Sequence, residues 1–485
     1  MDETMGWLKA RWEGIMFQQN YSYFEKVCIK QHELFGGSYK ILSCVHEPTA
    51  YWFCYREDYA SGFGDFLVKK FLADKKFYES FKKEYLGIVG SIEKLYDILE
   101  KKRNSLGSIS DKELVETYLS ALELTALFAS YTLTCEPVEL SLEQRLRQKI
   151  ADAIKNDNGA TDHAYAVFTA PDRPSYLQGE RNELIRIAGM ARAKGEDELS
   201  EQLPEYLADA VYEHARKWWW IRNSYAKQER LSEEFFVSEL GEILRTGEKE
   251  AMPQASGEKQ ELLGRMGADD ELRMLVQISG DYIYLHDLRK GELMKWVYYI
   301  NIIIREFARR LGMSFEDAAF MTHHEIVDAL LNKTSIPSNE ISERRNAVST
   351  YDEDKGHVWY GEEAESLKKE IFGTIEKGAK EIEGTPASPG HAKGRVRVLM
   401  SSSEVDSFNE GEILVTSHTT PDWVVIMRKA AAIITERGGI TCHAAIVSRE
   451  LGIPCITGVN NVTEILKDGE LVEVDAIKGI IKRLK

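Results

Sequence analysis

Thr435-Glu436-Arg437-Gly438-Gly439-Ile440-Thr441-Cys442-His443-Ala444-Ala445-Ile446-Val447-Ser448-Arg449-Glu450-Leu451-Gly452-Ile453-Pro454 carries the densest pattern in the chain. The apolar run at 431–435 reads as a buried strand, and Gly438-Gly439 permits a tight turn and close approach of a bulky anion to the backbone. Thr441 suits an N-cap, which puts His443 in the first turn of a helix. The positive end of the helix dipole disfavours imidazolium, so the ring there stays neutral with a lone pair for attack. A phosphoryl group on that ring would be held by the same backbone N–H groups and by the Thr441 hydroxyl. His443 would then be a covalent carrier, splitting one difficult transfer into two easier ones. A first-turn histidine also serves as a capping or packing residue, and the local pattern alone leaves both readings open.

Around this stretch the text is β-rich and short in period. Strands are expected at 394–400, 412–416, 431–435, 455–458, 471–474 and 479–484, with helices at 421–430, 442–451 and 462–467. Residues 384–485 therefore form a compact α/β domain. Upstream, helical patterns dominate, at 67–105, 110–134, 141–156, 209–230 and 292–311. Capping boxes mark helix starts at Ser110 with Glu113, Ser141 with Gln144 and Thr322 with Glu325. The expected division is a mainly helical region at 1–375, a charged linker at 376–383 followed by stiff turns at 384–390, and the α/β domain at 384–485. The linker would let one domain move relative to the other, or act as a passive tether.

The segment from Gly438 to Glu450 resembles the phosphohistidine signature of the phosphoenolpyruvate-utilising enzymes. The domain around it is similar to their swivelling phosphohistidine domain: Ala387-Ser388-Pro389-Gly390 with Gly394 matches its opening, Gly411–Val415 with Thr420-Pro421-Asp422 its middle, and Asp468-Gly469 with Val474-Asp475 its end. The resemblance implies that His443 is phosphorylated and that Thr441, Gly438, Gly439 and Cys442 shape the phosphate pocket. Cys442 stands where serine is common, and the family gives it no nucleophilic role. The order of a helical region before the histidine domain resembles rifampicin phosphotransferase without its ATP-grasp domain, or the histidine-bearing subunit of phenylphosphate synthase. A looser pattern across 284–330, with Arg309-Arg310-Leu311-Gly312 and Met321-Thr322, extends that resemblance. It implies an acceptor-binding region at 1–375 and ATP with Mg²⁺ on a separate ATP-grasp partner chain. No GxxxxGK[ST] loop occurs, and no phosphoenolpyruvate-binding barrel is expected after Lys485.

Composition narrows the partners. The chain has 485 residues, 43% hydrophobic and 29% charged, which suits two or more globular domains. Its 62 basic and 79 acidic residues give a net charge of −17, which disfavours nucleic acid and anionic membrane as partners. The C-terminal domain holds 12 of each sign, so the excess belongs to residues 1–383. No apolar run reaches membrane-spanning length and no secretory signal opens the chain, so a cytoplasmic protein is expected. Cys28, His32, Cys44, His46 and Cys54 lack pairs at zinc-ribbon spacing and read as buried groups in an aromatic-rich segment; no metal ligand is assigned.

Two groups in the helical region are candidates for acceptor binding. His214, Trp218, Arg222 and Tyr225 follow at helical spacing, so that two aromatic rings could wall a pocket while Arg222 holds an anion. The ordinary reading of the same residues is a buried aromatic stripe with one snorkelling arginine. His286, Arg289 and Lys290, placed just before the long helix, could supply a general base or a phosphate clamp, or simply a solvated helix start. His323 and His324 lie inside a capping box and receive no role. The aromatic opening from Trp7 to Tyr59 is either core or pocket wall.

Overall fold

The computed structural model describes residues 7–13, 17–48, 50–154, 158–196, 198–199, 203–225, 227–250, 255–335, 338–372, 380–400, 407–417, 419, 423–436, 443–459 and 462–484. The chain divides into two compact units, Met1–Ile371 and Phe372–Lys485. The first is mainly α-helical and the second is α/β, as the sequence patterns require. No helix among the described residues is long and apolar enough to cross a membrane.

Helical patterning hides one feature of the first unit, a five-stranded antiparallel sheet. Its strands are β1 (Trp7–Glu13), β2 (Ile41–His46), β3 (Ala50–Arg56), β4 (Val348–Asp352) and β5 (Gly356–Trp359), in the order β1-β3-β2-β4-β5. β2 pairs with β4 across some three hundred residues, from Ile41 opposite Asp352 to Val45 opposite Val348. The aromatic opening is thus largely strand and core: Tyr51, Phe53 and Cys54 are buried, as are Cys28 and Cys44. His46 sits in this seam with Nε2 2.8 Å from the Ser349 hydroxyl. Burial, with a smaller contribution from Lys368, pushes its pKa down to about 3. The unfolded chain takes up that proton near pH 6.5, so the stability from the neutral ring is complete above about pH 6.5 and lost between there and about pH 3. Urea denaturation of the full chain between pH 7 and pH 4 is expected to show a loss of up to about 1.4 kcal/mol per pH unit from this group. A His46→Gln variant should lack that contribution.

The helices depart from the sequence patterns at identifiable residues. The run expected at 67–105 is two helices, Glu57–Ala73 and Lys75–Lys102. Asp74 separates them, in extended conformation, with its carboxylate accepting from the N–H groups of Lys76 and Phe77. Ser141 does not start a helix; it lies inside Cys135–Ala153, which begins with Pro137 in its first turn, where a missing N–H costs nothing. Glu57–Ala73 packs on Cys135–Ala153 at Gly64, where an added methyl would overlap the Pro137 carbonyl. Gly64→Ala is therefore expected to cost about 2 kcal/mol in chemical denaturation, since the opposing atom is backbone and cannot swing aside.

The longest helix, Asp270–Leu311, is capped by Asp269 accepting from Leu272 N–H and ends at Gly312 with φ of 68°. Tyrosines of the Lys75–Lys102 helix anchor it: Tyr85 donates to the Leu285 carbonyl at 3.0 Å and Tyr96 to the Glu292 carbonyl at 2.7 Å. Each buries a ring and satisfies its hydroxyl in the same contact. The middle of the long helix is thereby held in register with the unit's core.

In the second unit the strands are β6 (Glu381–Glu383), β7 (Thr385–Ser388), β8 (His391–Val398), β9 (Ile413–Thr416), β10 (Ala432–Thr435), β11 (Cys455–Thr457), β12 (Leu471–Asp475) and β13 (Ile480–Arg483). They form one sheet in the order β6-β13-β12-β8-β9-β10-β11-β7, parallel from β8 through β11. All six expected strands occur. β6 and β7 replace the expected linker end and stiff turns: Glu381–Glu383 pairs with β13, and Thr385–Ser388 is an edge strand, where Pro386 is tolerated. Side chains alternate between two cores. Ile413, Val415, Ala432 and Ile434 face one, closed by Val462 and Leu466. Leu414 and Ile433 face the other, closed by Ile426, Met427, Ala444 and Ala445. Covering both faces explains why these strands read as continuous apolar runs.

Candidate functional site

β10 ends at Thr435, and the helix His443–Leu451 begins with His443. The helix opening follows the carboxyl end of a parallel strand, which is where ligands bind in open α/β sheets. Gly438, Gly439, Thr441 and Cys442 lie outside the described residues, as does the side chain of His443. Both flanks are fixed. Before the segment, the Glu436 N–H donates to the Thr416 carbonyl at 3.1 Å, and its carboxylate accepts from the Thr463 hydroxyl at 2.6 Å and the Thr463 N–H at 3.1 Å. After it, Ala444 and Ala445 press the helix onto the sheet. Gly452, with φ of 69°, closes the helix as Ile453 N–H returns to the Ser448 carbonyl at 2.9 Å.

In the helical unit the structure regroups the candidate residues. The helix expected through 230 is Glu205–Trp218 and stops there, so His214, Trp218, Arg222 and Tyr225 do not share a helix face. The chain turns because Asn223 replaces helical bonds, its side chain accepting from Glu229 N–H at 2.9 Å and donating to the Met294 carbonyl at 3.4 Å. Trp218 is buried, with Nε1 3.2 Å from Glu183. His214 lies between Glu180 at 3.0 Å and Glu183 at 3.3 Å; burial opposes its charging, yet those two hydrogen bonds raise its pKa. Arg222 is exposed, stacked 4.3 Å over the Phe235 ring and 3.5 Å from Glu239.

Tyr225 belongs electrostatically to the other group. Burial pushes its hydroxyl up to about 12, against the opposing pull of Arg289. Arg289 and His286 do not precede the long helix; they lie in its middle, with partners on the Cys135–Ala153 helix and its approach. Arg289 grips Glu136 with two bonds of 2.6 and 2.8 Å and donates to the Thr132 carbonyl at 3.1 Å. Burial opposes charge on both partners, but each holds the other ionised. His286 takes Arg289 on Nε2 at 2.8 Å and Glu139 on Nδ1 at 2.7 Å. Arg289 can only donate, so His286 Nε2 accepts and Nδ1–H points to Glu139. The ring is a link in a Glu139–His286–Arg289–Glu136 chain, with no lone pair left for base catalysis.

Glu139 and His286 of that chain line a polar cavity of about 1020 Å³, together with Arg173, Lys259, Tyr284, Asp287 and Lys290. Glu139 and Glu136 also line a second cavity of about 440 Å³. Lys259 is committed to Asp172 at 2.9 Å. Arg173 stacks 4.3 Å over Tyr284. Neither Arg173 nor Lys290 has a carboxylate within ion-pair distance among the described residues, so both charges are open to an anionic ligand. Sequence reasoning missed the acidic half of this site. Its signal was Glu136, Glu139 and Glu143 at three- and four-residue spacing, a single helix face that reads equally as a solvated one.

Comparison with known proteins assigns the second unit. Residues 408–479 match the family described as PEP-utilising enzyme, mobile domain. The C-terminal α/β unit therefore carries the mobile domain of the PEP-utilising enzymes. A probable phosphoenolpyruvate synthase of Archaeoglobus fulgidus is 55% identical over 100 residues, 21% of this chain and 13% of that protein. One from Methanothermobacter thermautotrophicus is 48% identical over 120 residues, 25% of this chain and 16% of its own. The phosphoenolpyruvate synthase of Pyrococcus furiosus is 36% identical over 185 residues, 37% of this chain and 22% of its own. The matched stretch thus spans less than a quarter of the length of these curated relatives.

Proposed function

We propose that this chain is a phosphotransferase component in which His443 carries a phosphoryl group from a donor to a small-molecule acceptor held by the helical unit. The observation that carries the proposal is the position of His443 as the first residue of a helix that follows a parallel strand, within a matched mobile domain. An imidazole nitrogen there attacks the donor phosphorus as the donor's bridging P–O bond breaks. An acceptor oxygen then attacks the same phosphorus, the P–N bond breaks, and the acceptor's proton is released to solvent or a nearby base. The helix end stabilises both the neutral ring and the anionic adduct. The polar cavity beside His286 and Lys290 is the acceptor site of this proposal, and Arg173 and Lys290 fit an acceptor that bears an anionic group.

ATP, with Mg²⁺, held on a separate ATP-grasp chain is the proposed donor. The names of the relatives support a second reading, in which phosphoenolpyruvate bound on another chain supplies the phosphoryl group. Incubation with radiolabelled ATP and the nucleotide-binding partner, or with labelled phosphoenolpyruvate and its partner, separates the two. An acid-labile, base-stable label on the chain is expected with one donor. Absence of label with both would leave a docking module without catalysis.

A further inference from the structure

Among the described residues, one trio outside the sites above brings three metal-binding atoms together: Glu25, His323 and His324. Glu25 lies on the helix Phe17–Phe35, and the two histidines open the short helix His323–Val327. Glu25 Oε2 stands 3.8 Å from His323 Nε2 and 3.9 Å from His324 Nε2, with all three ligand atoms within 4.8 Å of one another. The two rings have centroids 3.8 Å apart. Side chains one residue apart on a helix do not normally face a common point, so this convergence has to be built.

Hydrogen bonding does not account for it. Both gaps to the carboxylate exceed hydrogen-bond length, yet each is short enough to be bridged by an ion lying between the atoms. The surroundings fix the backbone that carries the two histidines. The Thr322 N–H donates to Glu325 at 2.8 Å, and Arg344 grips the same carboxylate with two bonds of 2.6 Å. Lys26, whose charge bears on His323, is drawn off by Glu123 at 2.7 Å.

We infer that Glu25, His323 and His324 bind one divalent transition-metal ion, with zinc the best match. Two imidazole nitrogens and one carboxylate oxygen form a donor set suited to zinc, cobalt or nickel and poorly suited to magnesium or calcium. Donors around a tetrahedral zinc lie about 3.3 Å apart, so the two gaps from Glu25 to the histidines must each contract by about 0.5 Å. The Glu25 carboxylate, 20% exposed, and His324, 68% exposed, supply that movement, while the buried His323 forms the fixed part of the site. A bound ion ties the first long helix of the unit to the His323–Val327 segment and stabilises the fold by mass action.

The test uses the tag-free full chain, stripped with chelator and titrated with zinc chloride by calorimetry and with cobalt chloride by visible absorption. One equivalent of zinc and the d–d bands of a low-coordinate cobalt centre are expected. Glu25→Gln and His324→Ala should each weaken zinc binding at least about tenfold. His324→Ala alters an exposed side chain, so its unchanged apo melting temperature guards against misreading a folding defect as lost binding. Failure of the wild-type chain to bind either metal, or zinc affinity unchanged in both variants, overturns the site.

Discussion

Replacing His443 with alanine is expected to abolish labelling of the chain and to cut transfer to the acceptor by at least about 10³-fold. The substitution removes the only atoms that form the proposed P–N bond and leaves the helix start otherwise intact, since alanine has the best helix propensity. The neighbouring Ala444 and Ala445, which seat the helix on the sheet, are untouched. The variant's thermal stability should therefore stay close to that of the parent. Loss of label with retained stability separates chemistry from folding. Acid-labile phosphate persisting on the variant would move the carrier role to another residue.

Arg289→Met is expected to be the most damaging single change in the helical unit, costing about 3 kcal/mol or more in urea denaturation. Methionine fills much of the space but answers neither Glu136 nor the Thr132 carbonyl nor His286 Nε2. The Glu136 carboxyl, now held below the ordinary carboxylate range by Arg289 against the effect of burial, would rise toward protonation. The double variant Arg289→Met with Glu136→Gln should recover most of the loss, because it removes the uncompensated charge rather than one side of the pair. A single-variant cost below about 1 kcal/mol would mean that water or another cation already answers Glu136.

How much of this was legible from residues alone depended on the range of the interaction. The six strands of the mobile domain were readable because each is a short apolar run bounded by turn residues, and both faces are covered. The place of His443 at a helix start was readable because strand, double glycine and helix start follow one another within a few residues. The sheet of the first unit was not readable as a sheet, since Val348–Asp352 has no local mark tying it to Ile41–His46. The regrouping of Tyr225 with Arg289 was equally hidden. It depends on the chain leaving helical geometry after Trp218, and that turn is stabilised by Asn223 reaching to Met294, some seventy residues away. The polar run His286–Lys290 looked like a helix start because its partners, Glu136 and Glu139, lie on another helix.

The pairing of β2 with β4 also bears on how the polypeptide is made. Ile41-Leu42-Ser43-Cys44-Val45-His46 emerges from the ribosome some three hundred residues before Val348–Asp352, the strand that covers its open side. For the synthesis of roughly three hundred intervening residues, an uncharged apolar strand edge stands unpaired, the kind of template that recruits other chains. Chaperone demand in the cell should therefore fall on this early hairpin, and expression at lower temperature should raise the yield of soluble chain more than any change confined to the mobile domain.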